Sequence, residues 1–183
     1  MNIHFETGRV EQRLGQFKKE APKVMSRAIN RAISAGKTQA SKDTRAKYAV
    51  KASDVNQTIA IKKATKNRLG ASFISKGPRL SLAKYRTTPS APRPQKPPKS
   101  LKVMIEKGKR VPYKGAFLAE SGSLKVFKRI QSARLPIKEL TGPAIPQLLK
   151  GSLKEKTTEK RAHEVYRSRL DHEIKRILER GKG

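Results

Sequence analysis

The chain has no cysteine and no tryptophan, and acidic side chains are scarce: 14 Asp and Glu stand against 44 Lys and Arg in 183 residues. Without cysteine there are no disulfides and no thiolate zinc sites, which suits a reducing cytosol. Aromatics are only 5% of the chain, and no recognition-helix, zinc-finger or RNP pattern is present. Both absences argue against base-specific nucleic-acid readout. No apolar run approaches bilayer length, and Met1–Arg9 carries Glu6 and Arg9. Neither a membrane segment nor a signal peptide is therefore predicted, and the chain is expected to be used in the cytoplasm without membrane partners.

Catalytic patterns are missing as well. The histidines are His4, His163 and His172, and the last two lack the HExxH spacing of a zinc site. The carboxylates are scattered, with Asp171 and Glu173 read as a group on a helix surface. Gly108, Gly115 and Gly122 are spaced as turn glycines and fit no phosphate loop. No enzyme, cofactor or metal site is predicted.

What is present is positive charge, a net +30, unevenly placed. Between Asp54 and Glu106 there are twelve Lys or Arg and no acid. A charge of this size calls for a polyanion or an acidic neighbour. The candidate contacts are Lys62, Lys63, Lys66, Arg68, Lys76, Arg79, Lys84, Arg86, Arg93, Lys96 and Lys99. Two partners remain open, a phosphate backbone bound without sequence preference and an acidic protein.

Periodicity predicts helix, then strands, then helix. Val10, Leu14, Phe17, Ala21, Val24, Ala28, Ile29, Ala32 and Ile33 recur at helical steps, with Pro22 either kinking the helix or opening a second one. The helical region ends near Tyr48 or Ala49 within residues 1–50. Strands are expected at Thr58–Ala64 and Leu69–Ile74, joined through Lys66-Asn67-Arg68, then at Arg79–Tyr85, Leu101–Glu106, Val111–Leu118 and Leu124–Ile130. Residues 86–100 hold five prolines and four basic residues with no acid, and are predicted to be an exposed, extended loop. The prolines at 136, 143 and 146 predict a rigid segment over 131–151 that hardly continues a sheet. Residues 153–180 read as a charged helix with Asp171 and Lys175 as an i,i+4 pair.

The ordered pieces KGxR…P…GAF…SG…VFKR…RLPIKEL.GP..P between Lys107 and Leu149 resemble the minor tail protein Z family of tailed bacteriophages, also described as tail completion proteins. SRAINRAISAGKTQASKDTRAKYAVKASDV, Ser26–Val55, is similar to that family's N-terminal region. The resemblance covers Val24–Leu149, apart from the Pro-rich stretch after Tyr85, which looks like an insertion. It implies a virion protein at the head-proximal end of the tail, assembled in the host cytoplasm as a sixfold ring. Its partners would be further copies of itself, the tail terminator, neck or head-completion proteins, and the phage DNA. Arg134, Leu135, Pro136, Ile137, Leu140, Pro143, Ile145 and Pro146 are the candidate subunit-docking residues. The competing reading is a sequence-nonspecific nucleic-acid-binding or ribosome-associated protein.

The expected fold is a single α+β domain. A long N-terminal helix packs on one antiparallel sheet of about four to six strands, with a C-terminal helix beside it.

Overall fold

Small and branched apolar residues at steps of three and four commit the stretch from Val10 to Lys47 to helix. In the computed structural model, which describes residues 9–95, 98–153 and 156–180, α1 spans Val10–Leu14, a 3-10 turn covers Gly15–Glu20 and α2 runs through Ala21–Lys47. Pro22 lies in the first turn of α2, where no hydrogen bond needs its missing N–H. The chain then forms two compact units, the boundary falling within α2 between Ala40 and Ser41.

The first unit combines α1, the N-terminal part of α2, Ile59–Ser75 and the segment from Leu153 onward. Val24, Met25, Ala28, Ile29, Ala32 and Ile33 form the buried stripe of α2. Strands β1 (Ile59–Lys62) and β2 (Ser72–Ser75) form an antiparallel hairpin that pairs Ile61 with Phe73. Thr65 and Arg68 exchange backbone hydrogen bonds of 2.9 and 3.2 Å, closing the tip over Lys66 and Asn67 where the turn was predicted. Side chains alternate across the strands, so Phe73 is buried and Ile74 faces solvent.

The terminal helix of this unit, α5 (Thr157–Arg180), buries Ala162, Tyr166, Leu170 and Ile174 on one side. Two expectations for it change. Asp171 does not pair with Lys175; it accepts a 2.7 Å bond from Arg13 Nη2 of α1, while Lys175 faces Glu179. A short guanidinium–carboxylate bond outweighs a solvated i,i+4 pair, which contributes only a few tenths of a kcal/mol. Glu173 is not on the helix surface, because its side chain is fully buried.

The second unit holds the end of α2, α3 (Ala52–Gln57) and residues 76–152. Its strands are β3 (Arg79–Ser81), β4 (Arg86–Thr88), β5 (Ser100–Met104), β6 (Arg110–Lys114), β7 (Ala116–Ser121), β8 (Ser123–Arg129), β9 (Ile137–Glu139) and β10 (Thr141–Ala144). Helix α4 (Ile145–Ser152) follows at once, and the Gln147 side chain accepts the Ala144 N–H at 3.0 Å to close its start. The α+β class holds, but the strands are not gathered in one sheet. Among the described residues they divide into the β1-β2 and β10-β3 pairs and the β4-β5-β6 and β7-β8-β9 triplets, all antiparallel. Gly115, at φ +69°, breaks the expected strand over Val111–Leu118 into β6 and β7. A 3-10 turn at Leu82–Lys84 likewise breaks Arg79–Tyr85, and β4 begins after it.

The proline-containing tail also differs from expectation, since it does pair. β9 joins β8 and β10 joins β3. Its prolines occupy places where no ladder donor is needed: Pro136 precedes β9, Pro143 lies in a two-stranded sheet, and Pro146 is in the first turn of α4. Close packing then holds the segment. Tyr85 donates its hydroxyl hydrogen to the Pro143 carbonyl at 2.6 Å, and a Cβ on Gly142 would sit 2.7 Å from the Tyr85 ring. Burial pushes the Tyr85 phenol up to about 12. The predicted loop over 86–100 begins as β4, with Thr87 buried; Ser90, Ala91, Arg93, Pro94 and Gln95 are exposed.

Candidate nucleic-acid interface

The eleven basic residues singled out in the sequence do not form one surface within a single unit. Lys62, Lys63, Lys66 and Arg68 belong to the β1–β2 hairpin of the first unit, and all four are exposed. Lys76, Arg79, Lys84, Arg86, Arg93 and Lys99 belong to the second unit, and Lys96 lies outside the described residues. Three of the eleven already have local partners, Arg68 Nη2 among them, which donates to the Lys63 carbonyl at 3.1 Å. Arg79 Nε donates to the Gly142 carbonyl at 3.2 Å, and Lys84 Nζ lies 3.6 Å from Asp54.

A denser basic site was missed. On α2, Arg27 and Arg31 stand one turn apart; on α5, Arg169, Glu173 and Arg176 follow the i,i+4 and i,i+3 rows. Glu173 is fully buried and takes three guanidinium groups: Arg169 Nη2 and Arg176 Nη2 each at 2.6 Å, and Arg27 Nη1 at 3.4 Å. The arginine side chains remain about two-fifths exposed, at 39%, 39% and 44%. The carboxylate therefore forms a floor, with the cations arrayed between it and water.

Lys63 joins this cluster because the hairpin is held against α2. Asn30 Nδ2 donates to the Ala64 carbonyl at 2.9 Å, and the Ala64 N–H returns a 2.8 Å bond to Asn30 Oδ1. The resulting cleft, about 500 Å³, is lined by Arg27, Arg31, Lys63, Arg169 and Arg176 around Glu173. A second cleft of about 550 Å³ adds Arg161, Glu164 and His172 and shares Arg31 and Arg169 with the first. Together they make one trough along α2 and α5. The positive field extends toward Glu20, whose carboxyl lies below its usual range. The hydrogen bond and charge of Lys23 are the main causes, with smaller pulls from Lys66 and Arg27. One signal in the sequence pointed to the site: Glu173 falls seven residues after Tyr166, on the apolar side of α5. A lone acid there needs buried partners.

The candidate docking residues also separate. Arg134, Leu135, Pro136 and Ile137 are exposed on the loop and first residue of the β8–β9 arm, together with Ile130. Leu135 is 67% exposed and Ile130 is 60% exposed. Ile145 is a core residue, Pro143 is engaged by Tyr85, and Leu140 is half-buried with backbone bonds to Leu82 and Val126. Pro146 is half-buried in the first turn of α4.

A family model described as prophage minor tail protein Z matches residues 9–180. The chain belongs to this family. No curated protein and no solved structure matches it. The match reaches beyond Val24–Leu149 to take in α1 and α5, so the trough and the arm both fall inside it. The family makes the chain a structural minor tail protein of a phage, with the virion tail as its location; it is not a known enzyme family. Among the described residues no helix is long and apolar enough to cross a membrane, and no cluster of three or more His, Asp or Glu could hold a metal ion.

Proposed function

We propose that this minor tail protein completes the head-proximal end of the tail, in or beside the neck, as a ring of copies around the DNA path. The β8–β9 arm is the observation that carries this reading. Its connecting loop exposes Ile130, Leu135 and Pro136, with Ile137 at the start of β9, among Arg129, Arg134 and Lys138. An exposed apolar tip is what a docking segment needs, and phosphate binding has no use for it. The basic residues around the tip suit an acidic neighbour, such as a tail terminator or a neck protein. Copies each carrying a net +30 would repel one another in a ring. DNA or acidic partner rings supply the compensating charge.

Electron microscopy of tails carrying an epitope-tagged copy, labelled with gold-conjugated antibody, tests the position. Label should collect at the end that joins the head. Label along the tube or at the distal tip would overturn the reading.

A further inference from the structure

We propose that the trough between α2 and α5 is a binding site for the phosphate backbone of nucleic acid, with Glu173 as its positioning residue. Five cations, Arg27, Arg31, Lys63, Arg169 and Arg176, line one cleft around a single buried carboxylate. Three of them converge on that carboxylate, which offsets their mutual repulsion and fixes their guanidinium planes. Arg169 and Arg176 are each seen to donate to Glu173 through one nitrogen, and a guanidinium carries five N–H donors. Arg176 Nε is buried, so the donors left for phosphate oxygens are those on the exposed part of each guanidinium.

Shape favours a chain of phosphates over one anion. Arg161 lines one end of the trough and Arg176 the other. Fifteen residues of helix separate them, roughly 22 Å of axis at 1.5 Å per residue. Phosphates along one DNA strand recur at about 3.4 Å of axis, so the row runs beside several of them. Val165 is the apolar residue in the lining, and among the described residues no Phe, Tyr or Trp lines it as a platform for base stacking. Contact would therefore be to the backbone, without sequence preference. This inference rests on the first unit alone and does not depend on where in the tail the protein sits.

Binding of the full-length protein to a fluorescein-labelled random-sequence DNA duplex, measured across salt, tests it. The variants are R31Q, K63Q and R161Q combined, because these side chains are exposed and make no bond to Glu173. Affinity of the unaltered protein should fall steeply between about 50 and 200 mM salt, and each lost contact should flatten the log–log slope by about 0.9. The triple variant should thus lose about two to three units of slope with its melting temperature unchanged. Glu173→Gln, which frees the arginines to separate, should weaken binding even though it raises the net charge. K109Q with K114Q, two exposed lysines of the other unit, should flatten the slope less than the triple variant. Absent or salt-insensitive binding by the unaltered protein would overturn the proposal, as would equal flattening by the control pair. Loss of tail attachment in the triple variant with an unchanged DNA slope would also overturn it, assigning the trough to an acidic protein instead.

Discussion

Asn30 grips Ala64 by both ends of its side-chain amide, donating at 2.9 Å and accepting at 2.8 Å. One polar residue on a helix thereby occupies both backbone groups of a residue just past β1. The hairpin that carries Lys63 is fixed beside Arg27 and Arg31 as a result.

Replacing Asn30 by Leu should remove both bonds and leave the Ala64 N–H and carbonyl without their partner. The expected loss is about 1–3 kcal/mol by urea unfolding. Hydrogen exchange should accelerate across Ile59–Ser75 more than across β5. Unchanged exchange in the hairpin would show that its strands hold their place without this clamp.

Glu173 supports a larger effect. Glu173→Ala leaves three arginines converging on a site with no counter-charge, and should destabilise by about 2–4 kcal/mol. The partial exposure of those arginines keeps the loss toward the lower end. Added salt screens the remaining repulsion, so the deficit in thermal melts should shrink as ionic strength rises. A deficit independent of salt would point to lost packing as its cause.

The legible parts of the fold were the local ones. The stripe from Val10 to Ile33 marks its helix without help from distant residues, and of the two roles open to Pro22, a kink or a helix start, the structure shows the start of α2. The turn at Lys66 and Asn67 was likewise written in adjacent residues. Contacts between distant segments were not legible. β3 pairs with β10, and Asp171 finds Arg13 at a separation of 158 residues. Division of the strands among small sheets follows from such pairings, and no window of sequence contains them. The basic trough was hidden for the same reason: Arg27, Lys63 and Arg169 converge only after α2, the hairpin and α5 have packed. Only Glu173, an acid on an apolar face, hinted at it.

Tyr85 gives a pH signature. Its phenol is raised by burial to about 12, against an ordinary value of 10.0. An acid with a raised folded-state value stabilises the fold fully below pH 10, where the unfolded phenol is also neutral. That contribution is lost as pH rises through about 10 to 12, because the unfolded chain releases the proton first. Tyr85→Phe should cost about 1 kcal/mol at neutral pH through the lost bond to Pro143. The stability difference between the two proteins should shrink as pH rises past 10 and change sign before 12, because each pH unit in that window costs the Tyr85 protein up to about 1.4 kcal/mol. A constant difference over that range would mean that the folded and unfolded phenols titrate alike.

Incorporation into tails tests the docking role of the β8–β9 arm most directly. Leu135 and Ile137 are exposed, so Leu135→Asp with Ile137→Asp should leave the melting temperature of the isolated protein unchanged. Tails should be assembled in cells that supply only the altered protein, purified and probed for it. The expected result is tails that lack the protein and fail to yield infectious particles. Tails that carry the altered protein at normal occupancy and join heads normally would contradict the assignment of the arm as the docking segment.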